Sequence, residues 1–428
     1  MILIKDSRVI DPKSGLDQTV DIIIEDDKIT KIGEFERNSD YDYIIEAKGM
    51  IAAPGLIDVH VHLRDPGFTY KEDILTGAKA AVAGGFTTII AMANTKPVVD
   101  NEETLAYVQK KAEEAEIRVL QSVAVTKELK GKELTDFKKL KALGAAGFTD
   151  DGIPIRDGKL IKKAFELAKE CDMPISLHEE DPDFIKRQGV NQGKVSEQLE
   201  YGGAPACSEY VMVARDCMLA LETGASVNIQ HISSGVSVEL VRMAKKLGAK
   251  VYAEATPQHF SLTEEAVLEK GSLARVNPPL RTEEDRMKII EGLKDGTIDM
   301  IATDHAPHSK EEKAKDIKNA PSGMIGLETA LALGITNLVR EGHLTMEQML
   351  EKLTINPARL YHLDSGYLAE GQKADIVIFD ETEQWTVSDE FYSKSSNSPF
   401  IGQKLYGRVK YTICNGKIVY TDEKGNNL

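Results

Sequence analysis

Between residues 56 and 305 the chain repeats one unit: a short apolar run, a polar loop, then a stretch with helical spacing. The apolar runs are LIDVHVH (56–62), TTIIAMAN (87–94), RVLQSVAV (118–125), AAGFTDD (145–151), PISLHEE (174–180), SVNIQHIS (226–233), KVYAEATP (250–257) and DMIATDH (299–305). The stretches between them, such as KEDILTGAKAAVAGG, NEETLAYVQKKAEEAE and GVSVELVRMAKKLG, are rich in helix formers. A helix between successive strands makes those strands parallel, with right-handed crossovers. Eight such units over about 250 residues suit a closed (β/α)8 barrel, because a doubly wound sheet usually carries fewer strands.

Outside this region the period falls to two. Residues 1–52 read as short strands, ILIKDSRVI, DIIIEDDKITKIG with an Asp26-Asp27 turn, and YIIEA. GMIGLETALALGITNLVREG and TMEQMLEKLTINPARLY read as two further helices that close the barrel at about residue 362. ADIVIFD, QWTV and GRVKYTICNGKIVYTD then return to alternation, with Asn415-Gly416 as a strong hairpin signal. The expected organisation is therefore a TIM-like barrel over 53–362, flanked by one β-sandwich built from 1–52 and 363–428.

Polar residues at the C-terminal ends of barrel strands converge on one face, however far apart they lie in sequence. His60 and His62 on the first strand are two apart, so both point the same way. Asn94, Asp151, His178, His231 and Asp304 sit at the ends of later strands. Counting His259, His305 and His308, seven of the nine histidines lie at or just past strand ends, which scattered surface histidines would not do. His343 and His362 read as surface or helix-packing residues. Four imidazoles and two carboxylates exceed the shell of one zinc ion and suit two metals, with a carboxylate such as Asp151 bridging them. Nitrogen and carboxylate donors without thiolate favour zinc, with manganese, cobalt or iron as alternatives. The four cysteines, Cys171, Cys207, Cys217 and Cys414, are scattered and form no metal or disulfide framework.

Asp304, in ATDHAPH, is placed to act as general base and then acid; a purely structural ligand is the competing reading. Arg64 shares the face of His62 and offers a fork for a carboxylate, against the alternative of a salt bridge to Asp65. Asn94 and Asn277 lie in loops at the same mouth, suited to amide and carboxylate groups, or else serve as turn residues. The polar loop SKEEKAKDIKNAPS (309–322) reads as a lid or as an ordinary solvated loop. A formal charge of −16 argues against a nucleic-acid or anionic-membrane partner, and no apolar run is long enough to span a bilayer. The N-terminus shows no cleavage site, which reads as cytoplasmic.

DVHVHLRDPG (58–67), GFTDDG (147–152), the HEE at 178, QHIS at 230, RVNPPLR at 275 and ATDHAPH at 302 together resemble the long-chain bacterial dihydroorotases of the amidohydrolase superfamily. The resemblance implies that His60, His62, Asp151 and Asp304 hold one zinc, and Asp151, His178 and His231 a second. It also implies that His62, Arg64, Asn94, Asn277 and His308 bind substrate, with backbone contacts at Ser322 and Gly323. Ser322 stands where most relatives carry Phe, a change that a backbone contact survives. The implied reaction is reversible cyclisation of N-carbamoyl-L-aspartate to dihydroorotate, the third step of pyrimidine synthesis. Two partners come with it: a second copy in a homodimer, and aspartate transcarbamoylase. The rival readings are a hydantoinase, dihydropyrimidinase or allantoinase, or a non-catalytic homologue that scaffolds aspartate transcarbamoylase. The first group typically bridges its metals with a carboxylated lysine, which GFTDDG lacks, and the second would have lost metal ligands.

Overall fold

The computed structural model describes residues 1–36 and 41–422. The first strands are β1 (Ile2–Asp11), β2 (Leu16–Glu25), β3 (Lys28–Gly33), β4 (Tyr43–Glu46) and β5 (Ile51–Pro54). The barrel strands follow: β6 (Leu56–Val61), β7 (Phe86–Ala91), β8 (Arg118–Val123), β9 (Gly147–Thr149), β10 (Ile175–Leu177), β11 (Val227–Ile229), β12 (Val251–Ala255) and β13 (Met300–Ile301). Seven fall inside the runs read from sequence, several of them shorter, and β7 starts one residue earlier, at Phe86. They pair in parallel in chain order, β6 through β13. A parallel bridge between Val61 and His305 closes the ring, where the His62 N–H donates to the His305 carbonyl at 2.8 Å.

Most barrel-strand residues are buried, as expected of strands covered by helices outside and packed side chains within. The one acid buried early in β6 is satisfied internally: Asp58 accepts from the Thr303 hydroxyl at 2.5 Å and from the backbone N–H of His60 at 3.0 Å. This ties the two ends of the barrel together directly beneath the strand tips. Helix starts are set by side-chain caps, as with Asp73 and Thr76 in a reciprocal capping box before Ile74–Ala83.

After the barrel come β14 (Ile376–Thr386), β15 (Lys404–Cys414) and β16 (Lys417–Thr421), and they join the N-terminal strands in a single sheet. Its order is β16-β15-β14-β5-β1-β2-β3, with β4 alongside β1. Alternation sends Ile10, Ile51, Val377 and Phe379 into the barrel-side core. Ile4, Ile22, Ile24, Ile376, Ile378 and Ile413 point the other way into a second cluster. The sheet curls over that cluster, because Ala374 N–H donates to the Asp27 carbonyl at 2.8 Å and Ile29 N–H to the Gln372 carbonyl at 2.9 Å. Gly416 completes the expected hairpin turn at φ +74°, where a Cβ would stand 1.8 Å from the Asp26 carbonyl oxygen.

Two helix expectations change. The stretch after Gly323 begins its helix only at Ala330, because Met324 bridges His305 as part of the active-face rim. The segment 345–361 is split at Thr354 (φ −133°, ψ −88°) into Met346–Leu353 and Ile355–Leu360. Among the described residues no helix is long and apolar enough to cross a membrane.

Candidate metal centre

The strand tips bring together the six side chains expected to bind metal. His60 Nε2 lies 3.3 Å from Asp151 Oδ1 and 3.5 Å from Asp304 Oδ1. His62 Nε2 lies 2.9 Å from Asp304 Oδ1 and 3.5 Å from Asp151 Oδ2. On the other side of Asp151, His178 Nδ1 and His231 Nε2 approach each other at 2.9 Å and stand 3.9 and 3.7 Å from Asp151 Oδ1. Two clusters, His60–His62–Asp151 and Asp151–His178–His231, thus share one carboxylate. Arg64, His231 and Asp304 all have positive φ (60°, 34° and 49°), an uncommon backbone state for non-glycine residues that concentrates at functional sites.

Groups outside the cluster decide which ring nitrogen carries the proton. His60 Nδ1 faces Glu254 Oε2 at 3.1 Å, and His178 Nε2 faces Glu180 Oε2 at 3.0 Å. A carboxylate only accepts, so both of those nitrogens are N–H donors. Asn94 Nδ2 donates to Asp151 Oδ2 at 3.0 Å, which leaves Asn94 Oδ1 to accept from His62 Nδ1 at 3.0 Å. The opposite nitrogens, His60 Nε2, His62 Nε2 and His178 Nδ1, therefore point bare lone pairs at one another's partners and at carboxylate oxygens. His60 Nε2 and Asp151 Oδ1 are buried without any hydrogen-bond partner. Lone pair against lone pair is repulsive, and cations placed between them reconcile the arrangement. The donor set fits a divalent metal.

A pocket of about 180 Å3 opens over the cluster. Every residue expected to touch substrate lines it: His62, Arg64, Asn94, Asn277, His308, Ser322 and Gly323. His60 does not, being fully buried behind the others. The Arg64 guanidinium is buried, which lowers its affinity for a proton, and among the described residues it donates only to the Pro307 carbonyl, at 3.3 Å. The alternative of a salt bridge to Asp65 does not hold, since Asp65 instead accepts from Tyr107 Oη at 2.8 Å. Asn277 Oδ1 is buried and unpartnered, whereas the Asn94 amide is already occupied by His62 and Asp151. His259 and His305 stand off the pocket: His259 Nε2 donates to the Pro278 carbonyl at 3.0 Å and His305 Nε2 to Glu72 at 3.2 Å. The 309–322 loop is fastened down, with buried Lys313 donating from Nζ to the carbonyls of Pro321 (3.0 Å) and Gly323 (2.9 Å).

Residues 51–419 match the Amidohydrolase family. The chain belongs to the amidohydrolase family. Its relatives include a dihydroorotase from Clostridioides difficile strain 630, 62% identical over 98% of this chain and 100% of that one. A dihydroorotase from Clostridium acetobutylicum is 55% identical over 99% of this chain and 100% of that protein. Among solved structures, an L-hydantoinase (dihydropyrimidinase) from Arthrobacter aurescens superposes with a TM-score of 0.88 at 26% identity, over 100% of this chain and 97% of that one. The amidohydrolase barrel and appended sheet are thus shared with hydantoinases, while sequence identity is far higher to dihydroorotases.

Glu254 and Glu180, which hold metal-facing histidines, and Asn228, which holds Glu254, were not expected from the sequence. Asn228 Nδ2 donates to Glu254 Oε1 at 2.5 Å. A signal existed for two of them: Glu180 lies two residues from His178 and so shares its face, and Glu254 is a lone acid inside the apolar run KVYAEA.

Proposed function

We propose that the chain is a dihydroorotase, catalysing the reversible cyclisation of N-carbamoyl-L-aspartate to dihydroorotate with release of water. The observation that carries this over a hydantoinase reading is Arg64, a buried cation in the pocket with no carboxylate of the described residues in ion-pair contact. Dihydroorotate brings the carboxylate that this guanidinium lacks, and dihydropyrimidines and hydantoins do not.

Two zinc ions would be held by His60, His62, Asp151 and Asp304 on one side and by Asp151, His178 and His231 on the other. When bound, they polarise the scissile carbonyl and acidify water. Asp304, against His62 at the pocket floor, takes the proton from the attacking water and passes it to the ring nitrogen as the amide bond breaks. Ring closure runs the same transfers backwards. Arg64 and Asn277 hold the substrate carboxylate, with His308 and the backbone at Ser322 and Gly323 bounding the ring. Residues 53–362 carry the chemistry, while 1–52 and 363–428 support it.

The test is turnover of metal-loaded protein on dihydroorotate beside dihydrouracil, hydantoin and allantoin. Preference for dihydroorotate by at least tenfold in kcat/KM is expected, and preference for any of the other three overturns the reading.

A homodimer is also proposed, through the outer face of two neighbouring helices. Cys207–Thr223 exposes Val211, Met218 and Leu221, and Gly235–Lys246 with the residue after it exposes Val236, Met243 and Leu247, each 37–56% accessible. Six exposed apolar side chains on adjacent helices are the kind of patch on which a half-interface of about 800 Å2 is centred. Sedimentation should give a dimer that Met243→Glu with Met218→Glu dissociates; a monomeric wild-type protein would refute it.

A further inference from the structure

We propose that Lys71 is a positioning residue for substrate binding: its ammonium fixes His308 as the neutral tautomer with the proton on Nε2, the nitrogen that faces the pocket rim. The proposal rests on the dihydroorotase reading only for its substrate, and the geometry that supports it is independent of that reading.

Lys71 Nζ lies 3.3 Å from His308 Nδ1 and 2.9 Å from Glu312 Oε1, with its side chain 12% exposed. An ammonium has hydrogens and no lone pair, so the imidazole nitrogen facing it must accept. That leaves the proton on Nε2, which donates to the Ser322 carbonyl at 2.8 Å. Both ring nitrogens are thus assigned by partners that permit one answer only. The rest of the surroundings hold the ring in place. The His308 backbone N–H donates to Asn397 Oδ1 at 3.0 Å, and Asn397 Nδ2 donates to the carbonyls of Ala306 (3.0 Å) and Gly323 (3.1 Å).

The charged groups facing His308 are Arg64 from the loop after β6, Lys71, Lys313, and Glu312 at 3.6 Å from Nδ1. Burial and the three cations outweigh the hydrogen bond to the Ser322 carbonyl and push the imidazole down to about 2. His308 is therefore an uncharged N–H donor at every pH at which the protein works. Positive charge in the pocket is left to Arg64, and the rim donor does not change with pH.

Removing the ammonium reverses this. Without Lys71, Glu312 becomes the nearest partner of Nδ1 and draws a proton there, so the neutral ring loses its Nε2–H. Only the doubly protonated ring can then satisfy both Glu312 and the Ser322 carbonyl, and the imidazole returns to ordinary titration.

The experiment uses Lys71→Met, with Lys71→Arg as the conservative control, in the metal-loaded full chain. In 15N-histidine spectra, with His308 assigned by comparison with His308→Asn, wild type is expected to hold the Nε2–H pattern from pH 5 to 9. Lys71→Met should show a titrating His308, and Lys71→Arg should restore the wild-type pattern. On dihydroorotate, Lys71→Met should raise KM about three- to tenfold above neutrality, the scale of one hydrogen bond, because losing the His308–Ser322 bond loosens the rim that bounds the substrate, with kcat within about twofold. The KM ratio of variant to wild type should shrink as pH falls through the new titration. A His308 pattern in Lys71→Met identical to wild type overturns the proposal. So does a kcat loss without a KM change. Absence of dihydroorotase activity in wild type would instead count against the proposed reaction, leaving the spectra to judge Lys71.

Discussion

Replacing Glu254 by leucine should weaken metal binding without touching a ligand. Glu254 is fully buried and accepts from His60 Nδ1 at 3.1 Å and Asn228 Nδ2 at 2.5 Å. Leucine leaves His60 Nδ1 without an acceptor and Asn228 Nδ2 with Ser176 alone, and frees the His60 proton to sit on either nitrogen. Tautomer statistics alone would halve the competent population, a cost of ~0.4 kcal/mol. The larger loss comes from the ring's orientation and lowered basicity, which for such partners totals about 10–100-fold in metal affinity, or ~1.4–2.8 kcal/mol. Glutamine should do much less. Its carbonyl oxygen still accepts from His60, and Asn228 Oδ1, buried and unpartnered, can turn to meet the new amide at the expense of a 3.2 Å contact with Ser176. The assay is competition for zinc against a chelating dye, run on both variants with circular dichroism to establish folding. Leucine and wild-type proteins of equal zinc affinity would refute the tautomer argument, and so would a glutamine variant as weak as leucine.

Three other outcomes follow from the same geometry. Asp304→Asn should cut turnover by about 10²–10⁴, the contribution of a positioned general base, while the protein remains folded; near-normal turnover would remove Asp304 from that role. Elemental analysis of purified protein should find two metals per chain, and a firm value of one would mean that Asp151 does not bridge. Burial, with Glu72 adding repulsion, pushes the Glu328 carboxyl up to about 7. A raised acid stabilises the fold in its protonated form, fully so below about 4.5, and loses that contribution as pH rises to 7. Denaturant melts of wild type and Glu328→Gln should therefore diverge over this window in favour of glutamine, by at most ~3 kcal/mol, and parallel pH curves would exclude it.

The barrel was legible because eight buried strands separated by helices leave a periodic trace, and the ligands were legible because they stand at strand ends. Even the two-residue β13 was visible, through the polar ATDH that follows it. What escaped were partners joined only by closure of the ring. Nothing near Glu254 in sequence says that it will meet His60, 194 residues away, nor that Lys71 will reach His308 across 237. Arg64 shows the opposite difficulty: its neighbour Asp65 suggests a local pair, but the backbone at φ +60° turns the two apart, sending one to the pocket and the other to Tyr107. The helix assigned to 323 onward failed for a related reason. Its residues have helical spacing, but Gly323 and Met324 are held in the rim by Asn397 and His305.

The sheet shared by the two chain ends sets a schedule for production on the ribosome. β5 leaves the exit tunnel early, yet the strand that covers its open edge is β14, where Pro54 pairs with Ile376. At about 5–20 residues per second, the wait is on the order of tens of seconds. For that interval a nascent chain carries IAAP as an exposed edge beside an apolar β6, the kind of surface that recruits other chains. Premature stop codons anywhere before residue 376 would leave that edge open permanently, so truncated products should be met first by chaperones and proteases, even where all six metal-facing side chains have already been made.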